Sequence, residues 1–319
     1  MYLDSCRDLK YSLRERTESL TAGTGLWWLG LGISRDASGG YRLAVRVTDT
    51  RQVPELLRRL AAEAHDELDA FSTGEVRALG GFTPEELQER HRPLVPGCSV
   101  GHTNVTAGTL GGFVRVDGTV HALSNSHVLA DSGAADTGDT VVQPGPADDG
   151  TAPADTVGTL TDTAPLHTDQ TNTVDAAVAR IREGTGYDPA AYPGGRITET
   201  TDDPSSHVAK LGRTTGHTRG RITAFEVDGL RVAFPVGELE FDNQIEITGE
   251  TGGFSEGGDS GSLIWDEEAR AALGLLFAGS QSGGPNGSGL TYANPIREVL
   301  EALAAELVGY GDEHAGARP

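Results

Sequence analysis

Apolar positions repeat with two different periods along the chain, and the change of period separates an amino-terminal part from the rest. Leucines at near-helical spacing predict a helix within residues 1–20. An apolar run at 25–33 and an alternating segment at 41–47 predict two strands. Pro54 opens a second predicted helix, since proline is tolerated in the first turn, and residues 71–79 fit a third strand. The pattern is that of a small α+β domain.

The remainder of the chain consists of short β-prone runs separated by Gly, Asn and Asp. The runs at 109–116 and 119–124 are joined by Asp117-Gly118, which favours a two-residue hairpin turn. An amphipathic pattern over 295–303 predicts a helix near the carboxyl terminus. This part is therefore predicted to be mostly β.

These two patterns of apolar positions divide the chain into five predicted segments. They are a helical segment 1–21, a small α+β domain 22–82, a polar linker 83–96, a β-rich domain 97–305 and a flexible tail 306–319. A length of 319 residues agrees with two domains of ordinary size.

Charge and composition exclude several classes of partner. The formal net charge of −22 argues against nucleic acid, whose phosphates would be repelled. No apolar run reaches the roughly 18 residues that a membrane span needs, and the charged first ten residues do not resemble a secretory signal. Two cysteines far apart do not form a disulfide framework. The sequence predicts a cytoplasmic protein that binds neither nucleic acid nor membrane.

The richest candidate chemistry lies in the run Gly257-Gly258-Asp259-Ser260-Gly261-Ser262. Glycines on both sides of Ser260 permit a sharp turn that exposes its hydroxyl. The amides of Gly258 and Ser260 would then point to one place and could form an oxyanion hole. A plain Gly-rich turn with an exposed serine is the alternative interpretation.

A serine becomes a nucleophile only beside a base that a third group orients. His127 follows a predicted strand and begins a short helical turn, a setting that the other histidines lack. Asp175 interrupts an apolar strand, where a carboxylate is costly unless it is paired; a solvent-facing position at a strand edge is the alternative. Asp131 and Asp169 are weaker candidates because they lie in polar segments.

In these motifs and their order, His127 before Asp175 before Ser260, the chain resembles the trypsin-like, chymotrypsin-fold serine peptidases. The resemblance covers roughly residues 97–305. A closer likeness is to a non-secreted group that includes the plant Narrow leaf 1 proteins. That likeness lies in three segments: Gly108-Thr109-Leu110-Gly111, Leu123-Ser124-Asn125-Ser126-His127-Val128-Leu129-Ala130 and Lys210-Leu211-Gly212-Arg213-Thr214-Thr215-Gly216.

The resemblance implies two orthogonal six-stranded antiparallel β-barrels with a carboxyl-terminal helix, and hydrolysis of peptide bonds through an acyl-enzyme. His127 would be the general base, Asp175 its orienting group and Ser260 the nucleophile. Asp259 would be a structural carboxylate beside the nucleophile, but which group holds it stays open. Gly258 and Ser260 would supply the oxyanion hole.

Departures from the family pattern bear on specificity. Phe254 stands six residues before the nucleophile, where trypsins place Asp, so selectivity for Arg or Lys is not expected. The strand expected to line the substrate cleft reads Phe277-Ala278-Gly279, which favours an apolar or small residue before the cut.

Partners and alternatives complete the expectations from the sequence. A protein or peptide substrate is expected, with no cofactor and no metal, because no His, Cys and Asp cluster has ligand spacing. The amino-terminal domain could resemble a pro-region, regulate the enzyme or mediate homo-oligomers. Two other functions stay open: a protease-fold protein that binds peptides without turnover, and a self-processing protease or esterase.

Overall fold

The chain divides into two compact units, residues 1–79 and 80–319, in a computed structural model that describes residues 1–24, 26, 29–36, 39–73, 81–202 and 207–308. No helix in these described ranges is both long and apolar enough to span a bilayer.

The first unit packs helices on a three-stranded sheet. Its elements are α1 Leu3–Glu15, α2 Thr17–Thr21, β1 Gly30–Arg35, β2 Tyr41–Val47, α3 Pro54–Glu63 and β3 Leu68–Ser72. Strands β1 and β2 are antiparallel, while β2 and β3 are parallel and are connected through α3. The third strand starts before the predicted range 71–79, and residues 74–79 of that range lie outside the described residues.

The second unit begins with a short helix and a sheet of mostly antiparallel strands. These elements are α4 Pro84–Gln88, β4 Ser99–His102, β5 Gly108–Thr109, β6 Gly112–Val116, β7 Thr119–Ser124, α5 Ser126–Leu129, β8 Thr140–Val142, β9 Thr156–Thr163 and β10 Ala177–Ile181. The predicted hairpin at Asp117-Gly118 joins β6 to β7. The sheet runs β6-β7-β10-β9-β8-β4-β5 and stays open, so it is a half-barrel.

A second sheet follows and closes on itself. The remaining elements are β11 Glu199–Thr200, β12 His207–Gly212, β13 Gly216–Val227, β14 Leu230–Phe234, β15 Gly237–Phe241, β16 Gln244–Gly249, β17 Leu263–Asp266, β18 Ala271–Gly279, β19 Thr291–Pro295, α6 Ile296–Ala302 and β20 Glu306–Leu307. Strand β18 pairs with both β17 and β19, which completes the six-stranded ring β18-β17-β12-β13-β16-β19. Strands β14 and β15 form a separate hairpin, and β20 pairs with β6.

The predicted fold class is confirmed: the protein is mostly β, with two barrel-like sheets, a carboxyl-terminal helix and an α+β amino-terminal region. The structure corrects one detail of the prediction: the first sheet stays open, whereas the second forms a complete six-stranded barrel. One apolar cluster contains buried residues of both sheets, among them Leu123, Trp265 and Leu275. The two sheets therefore share a core, and the site described below lies where they meet.

Tyr192, in the connection between the two sheets, links that core to the first sheet. Its hydroxyl donates a hydrogen bond of 2.6 Å to the Gly111 carbonyl, and its ring lies edge-on to Trp265. Burial raises the pKa of Tyr192 well above its usual range. The phenol is thus a neutral, buried donor.

Tyr192→Phe is expected to lower the free energy of unfolding by about 1–3 kcal/mol, because the buried Gly111 carbonyl loses its donor. Urea unfolding of the variant measures this difference. Tyr2→Phe is the matched control, since Tyr2 is 87% exposed. Equal midpoints for the two variants would contradict the assigned role of the hydroxyl.

Candidate active site

His127 and Asp175 emerge from neighbouring strands at the same end of the first sheet. Strand β7 runs into α5, which carries His127, and Asp175 precedes β10, whose Ala177 pairs with Ser124 of β7. The His127 Nδ1 atom lies 2.5 Å from Asp175 Oδ2, and the His127 backbone N–H donates to Asp175 Oδ1 at 3.2 Å. The Asp175 side chain is fully buried, whereas the His127 side chain is 23% exposed. Because an ionised carboxylate only accepts, the pairing assigns the proton to Nδ1 and leaves Nε2 free to accept one.

Amide side chains from both sheets hold Asp175 in place. Asn125 Nδ2 donates to the Asp175 carbonyl at 2.7 Å, and Asn294 Oδ1 accepts from the Asp175 N–H at 3.0 Å. Asn294 is itself bonded to Gln244, at 2.8 Å. The sequence analysis missed Asn294 and Gln244, because single polar residues in distant strands give no local pattern.

Ser260 lies in the turn between β16 and β17 and is held by both sheets. Its carbonyl accepts from Thr109 N–H at 2.8 Å, and the next residue, Gly261, donates to Leu276 O at 2.8 Å. Gly261 has φ +94°, and a Cβ there would collide with Ser124 Oγ and the Thr109 carbonyl. This contact requires glycine and places Ser260 beside the strand end that carries His127.

Ser260 is half-buried. In the described part of the chain its hydroxyl has no hydrogen-bond partner, neither His127 Nε2 nor any other group. Long or poorly aligned catalytic hydrogen bonds are common before substrate binds.

Several backbone amides in the turn around Ser260 have no hydrogen-bond acceptor among the described residues. Asp259, Gly261 and Ser262 each donate their N–H within the protein. The N–H groups of Gly257, Gly258 and Ser260, in contrast, donate to no described residue. Gly258 has φ +97°, a conformation that favours glycine. Two of these three amides, Gly258 and Ser260, are those that the sequence predicts for an oxyanion hole, which stays a prediction.

Asp259 is completely buried and is held by groups from the β12–β13 turn. Its carboxylate accepts hydrogen bonds from Thr214 N at 2.9 Å, Thr215 N at 3.1 Å, Thr215 Oγ1 at 2.7 Å and Glu256 N at 3.0 Å. Lys210 Nζ lies 3.4 Å away and is also completely buried. Burial lowers the pKa of Lys210, although the neighbouring Asp259 charge opposes that effect. The sequence left open which groups hold Asp259. In the structure they are the buried Lys210 side chain and four hydrogen-bond donors from Thr214, Thr215 and Glu256.

The four predicted cleft residues fall into two groups. Phe254 and Phe277 are buried, the first in the core of the second barrel and the second against Phe241, with ring centroids 4.7 Å apart. Ala278 is half-buried and Gly279 is exposed, and their place in a substrate cleft stays a prediction.

Phe234, on the separate β14–β15 hairpin, was not predicted as a site residue. Its ring meets that of His127 edge-on, with centroids 5.7 Å apart. The alternation of apolar and polar residues over 230–241 could have indicated the hairpin but not its contact with His127.

Other chemistry has less support within the described ranges. Both cysteines are buried, and burial raises the pKa of the Cys98 thiol to about 12, so it is not a reactive thiolate. In the part of the chain that the structure describes, no three His, Cys, Asp or Glu side chains are grouped to bind a metal.

Comparison with known proteins finds similarity only among solved structures. No family model and no curated protein matches the sequence. A chymotrypsin from Cellulomonas bogoriensis is 23% identical, with a TM-score of 0.47, over 67% of this chain and 98% of that one. Protease A from Thermobifida fusca is 22% identical, with a TM-score of 0.47, over 68% and 98%. A glutamic acid specific serine protease, which uses a histidine triad in substrate binding, is 20% identical, with a TM-score of 0.49, over 67% and 100%.

These structural neighbours are chymotrypsin-like serine proteases. The narrower likeness to the Narrow leaf 1 group stays a prediction, as does a cytoplasmic location.

Proposed function

We propose that the protein is a serine endopeptidase that works through His127, Asp175 and Ser260. The observation that carries the proposal is the meeting, at one junction of the two sheets, of the His127–Asp175 pair and the Ser260 turn, in which the Gly258 and Ser260 N–H groups donate to no described residue. Such a pair has an accepting Nε2, which is what a serine hydroxyl needs in order to attack a carbonyl.

In the proposed reaction, Ser260 Oγ attacks the carbonyl carbon of the scissile peptide bond while His127 Nε2 takes its proton. Asp175 stabilises the resulting imidazolium. The amides of Gly258 and Ser260 donate to the oxyanion of the tetrahedral intermediate. His127 then protonates the leaving amine. In the second half of the reaction, water attacks the acyl carbonyl while His127 Nε2 takes its proton, and His127 returns a proton to Ser260 Oγ as the acyl group leaves.

The proposed specificity is for substrates without Arg or Lys before the cut. Phe254 is buried and carries no charge. The polar groups nearest Gly279 are the Leu290 carbonyl and the Ser255 hydroxyl, which is hydrogen-bonded to Thr291 Oγ1 at 2.7 Å. None of these groups carries a negative charge, which favours an apolar or small side chain, since an ammonium or guanidinium would be desolvated there without a counter-charge.

One observation favours a second candidate, a protein that binds peptides without cutting them: the Ser260 hydroxyl does not donate to His127. Self-processing of the segment between the two units, by a protease or esterase activity, is a third possibility. A single experiment separates the three.

We expect a fluorophosphonate to phosphonylate wild-type protein once, with loss of fluoride, because an activated Ser260 attacks phosphorus as it would a carbonyl. Intact mass measures the adduct. Ser260→Ala should show none, and Ser282→Ala, which changes an exposed serine, should be labelled like the wild type.

Other outcomes select the alternatives. Equal labelling of Ser260→Ala would exclude Ser260 as the nucleophile. No adduct on any of the three would favour peptide binding without turnover. Fragments of wild type, absent from Ser260→Ala, would indicate self-processing.

A further inference from the structure

Threonine hydroxyls hold both carbonyl groups around Gly258. Thr214 Oγ1 donates to the Gly257 carbonyl at 2.9 Å, and Thr109 Oγ1 donates to the Gly258 carbonyl at 2.9 Å. The Gly258 N–H between them has no protein partner among the described residues. The carbonyls are thus fixed while the N–H stays available.

The Gly257 carbonyl and the Gly258 N–H belong to one peptide plane. In a planar trans peptide these two groups point in opposite directions, so a hydrogen bond to the oxygen also sets the direction of the N–H. If the plane rotated by half a turn, the Gly257 carbonyl oxygen would replace the N–H and would repel an oxyanion. Glycine on both sides of the plane offers little steric resistance to that rotation. The hydrogen bond from Thr214 is therefore the restraint on this plane.

The Thr214 hydroxyl is itself oriented by a chain of polar contacts. Arg213 Nη1 donates to Thr214 Oγ1 at 3.1 Å, which leaves the hydroxyl hydrogen for Gly257. Arg213 forms a bidentate ion pair with Asp148, with Nε–Oδ2 at 2.7 Å and Nη2–Oδ1 at 2.5 Å. Both side chains are largely buried, at 14% and 7% exposed. Asp148 follows the first sheet's strand β8, so the chain of contacts runs from one sheet to the nucleophile turn of the other.

We propose that Thr214 is a positioning residue for the oxyanion hole. Its hydroxyl keeps the Gly257–Gly258 peptide in the orientation that presents the Gly258 N–H, and the Arg213–Asp148 pair orients that hydroxyl. The inference rests on the proposed endopeptidase function. Thr214 would act through the Gly257–Gly258 peptide and not by touching the substrate itself.

Thr214→Val and Thr214→Ser test the proposal, since valine keeps the shape of threonine and serine keeps the hydroxyl. Both variants retain the Thr214 backbone N–H that donates to Asp259. The substrate is a peptide p-nitroanilide with alanine, leucine or phenylalanine before the cut, whichever the wild type hydrolyses fastest. Thr214→Val should lower kcat by about 10- to 100-fold, less than the roughly 10²–10³-fold for complete loss of one donor. KM should change little, and Thr214→Ser should restore kcat to near the wild-type value.

A second readout separates positioning from a general structural effect. The aldehyde of the same peptide forms a hemiacetal with an oxyanion, whereas the corresponding peptide alcohol does not. In Thr214→Val the inhibition constant of the aldehyde should rise by the same factor as kcat/KM falls, while that of the alcohol stays unchanged.

Three results would overturn the inference. The first is an active wild type whose kcat differs by less than twofold from that of Thr214→Val. The second is an equal loss of kcat in Thr214→Ser and Thr214→Val. The third is an equal rise in the inhibition constants of the aldehyde and the alcohol in Thr214→Val. If wild type shows neither turnover nor a fluorophosphonate adduct, the proposed function itself fails and the inference fails with it.

Discussion

Asp175→Asn is expected to lower kcat by about 10⁴-fold without unfolding the protein, by analogy with the same change in a serine protease triad. The buried carboxylate only accepts, so it keeps the proton of His127 on Nδ1. An asparagine amide at the same place can donate to Nδ1, which would move the proton to Nε2. The imidazole would then present a donor to Ser260 where a base is required.

Steady-state hydrolysis of the peptide p-nitroanilide measures the loss, and circular dichroism checks the fold. Asp169→Asn is the matched control, because Asp169 is an exposed aspartate in the same connection between β9 and β10. The control should hydrolyse at the wild-type rate. If Asp175→Asn kept more than a tenth of the wild-type kcat, the role of Asp175 would have to be abandoned.

Lys210→Met is expected to lower the free energy of unfolding by about 3–5 kcal/mol, because it leaves the buried Asp259 charge without its cation. The same change should slow fluorophosphonate labelling, since Asp259 lies between Gly258 and Ser260, whose amides are the proposed oxyanion-hole donors. Replacing both partners, Lys210→Met with Asp259→Asn, should recover part of the stability by removing the unpaired charge.

Urea unfolding reports the stability, and labelling rates report the site. Lys10→Met is the control, since Lys10 is the chain's other lysine and lies in the first unit. A Lys210→Met protein with wild-type stability would show that the ion pair contributes nothing, and rapid labelling would show that it does not order the turn.

The sequence predicted those parts of the site that depend on local pattern. The glycines around Ser260 and the hairpin at Asp117-Gly118 can each be read within a few residues, and so can the short motifs that contain His127, Asp175 and Ser260. The structure brings the first two into contact and holds the third at the same junction.

The parts that could not be predicted depend on strand register between distant segments. Lys210 meets Asp259, and Asn294 meets Asp175, only because of how β12 and β19 pair within the second barrel. Phe254 is a second example of a position that local pattern could not predict. Its type and place suggested a cleft wall, but apolar character does not tell which face of a barrel a side chain takes, and it lies in the core.

The contact of Gly261 with Ser124 and Thr109 has a consequence for how the protein is assembled. The proposed base belongs to one half of the second unit and the proposed nucleophile to the other, so neither half alone can react with a fluorophosphonate. Contacts between residues so far apart in the chain form late in folding, because loop closure must come first. The rate at which the adduct appears during refolding should therefore report the rate at which the two halves dock.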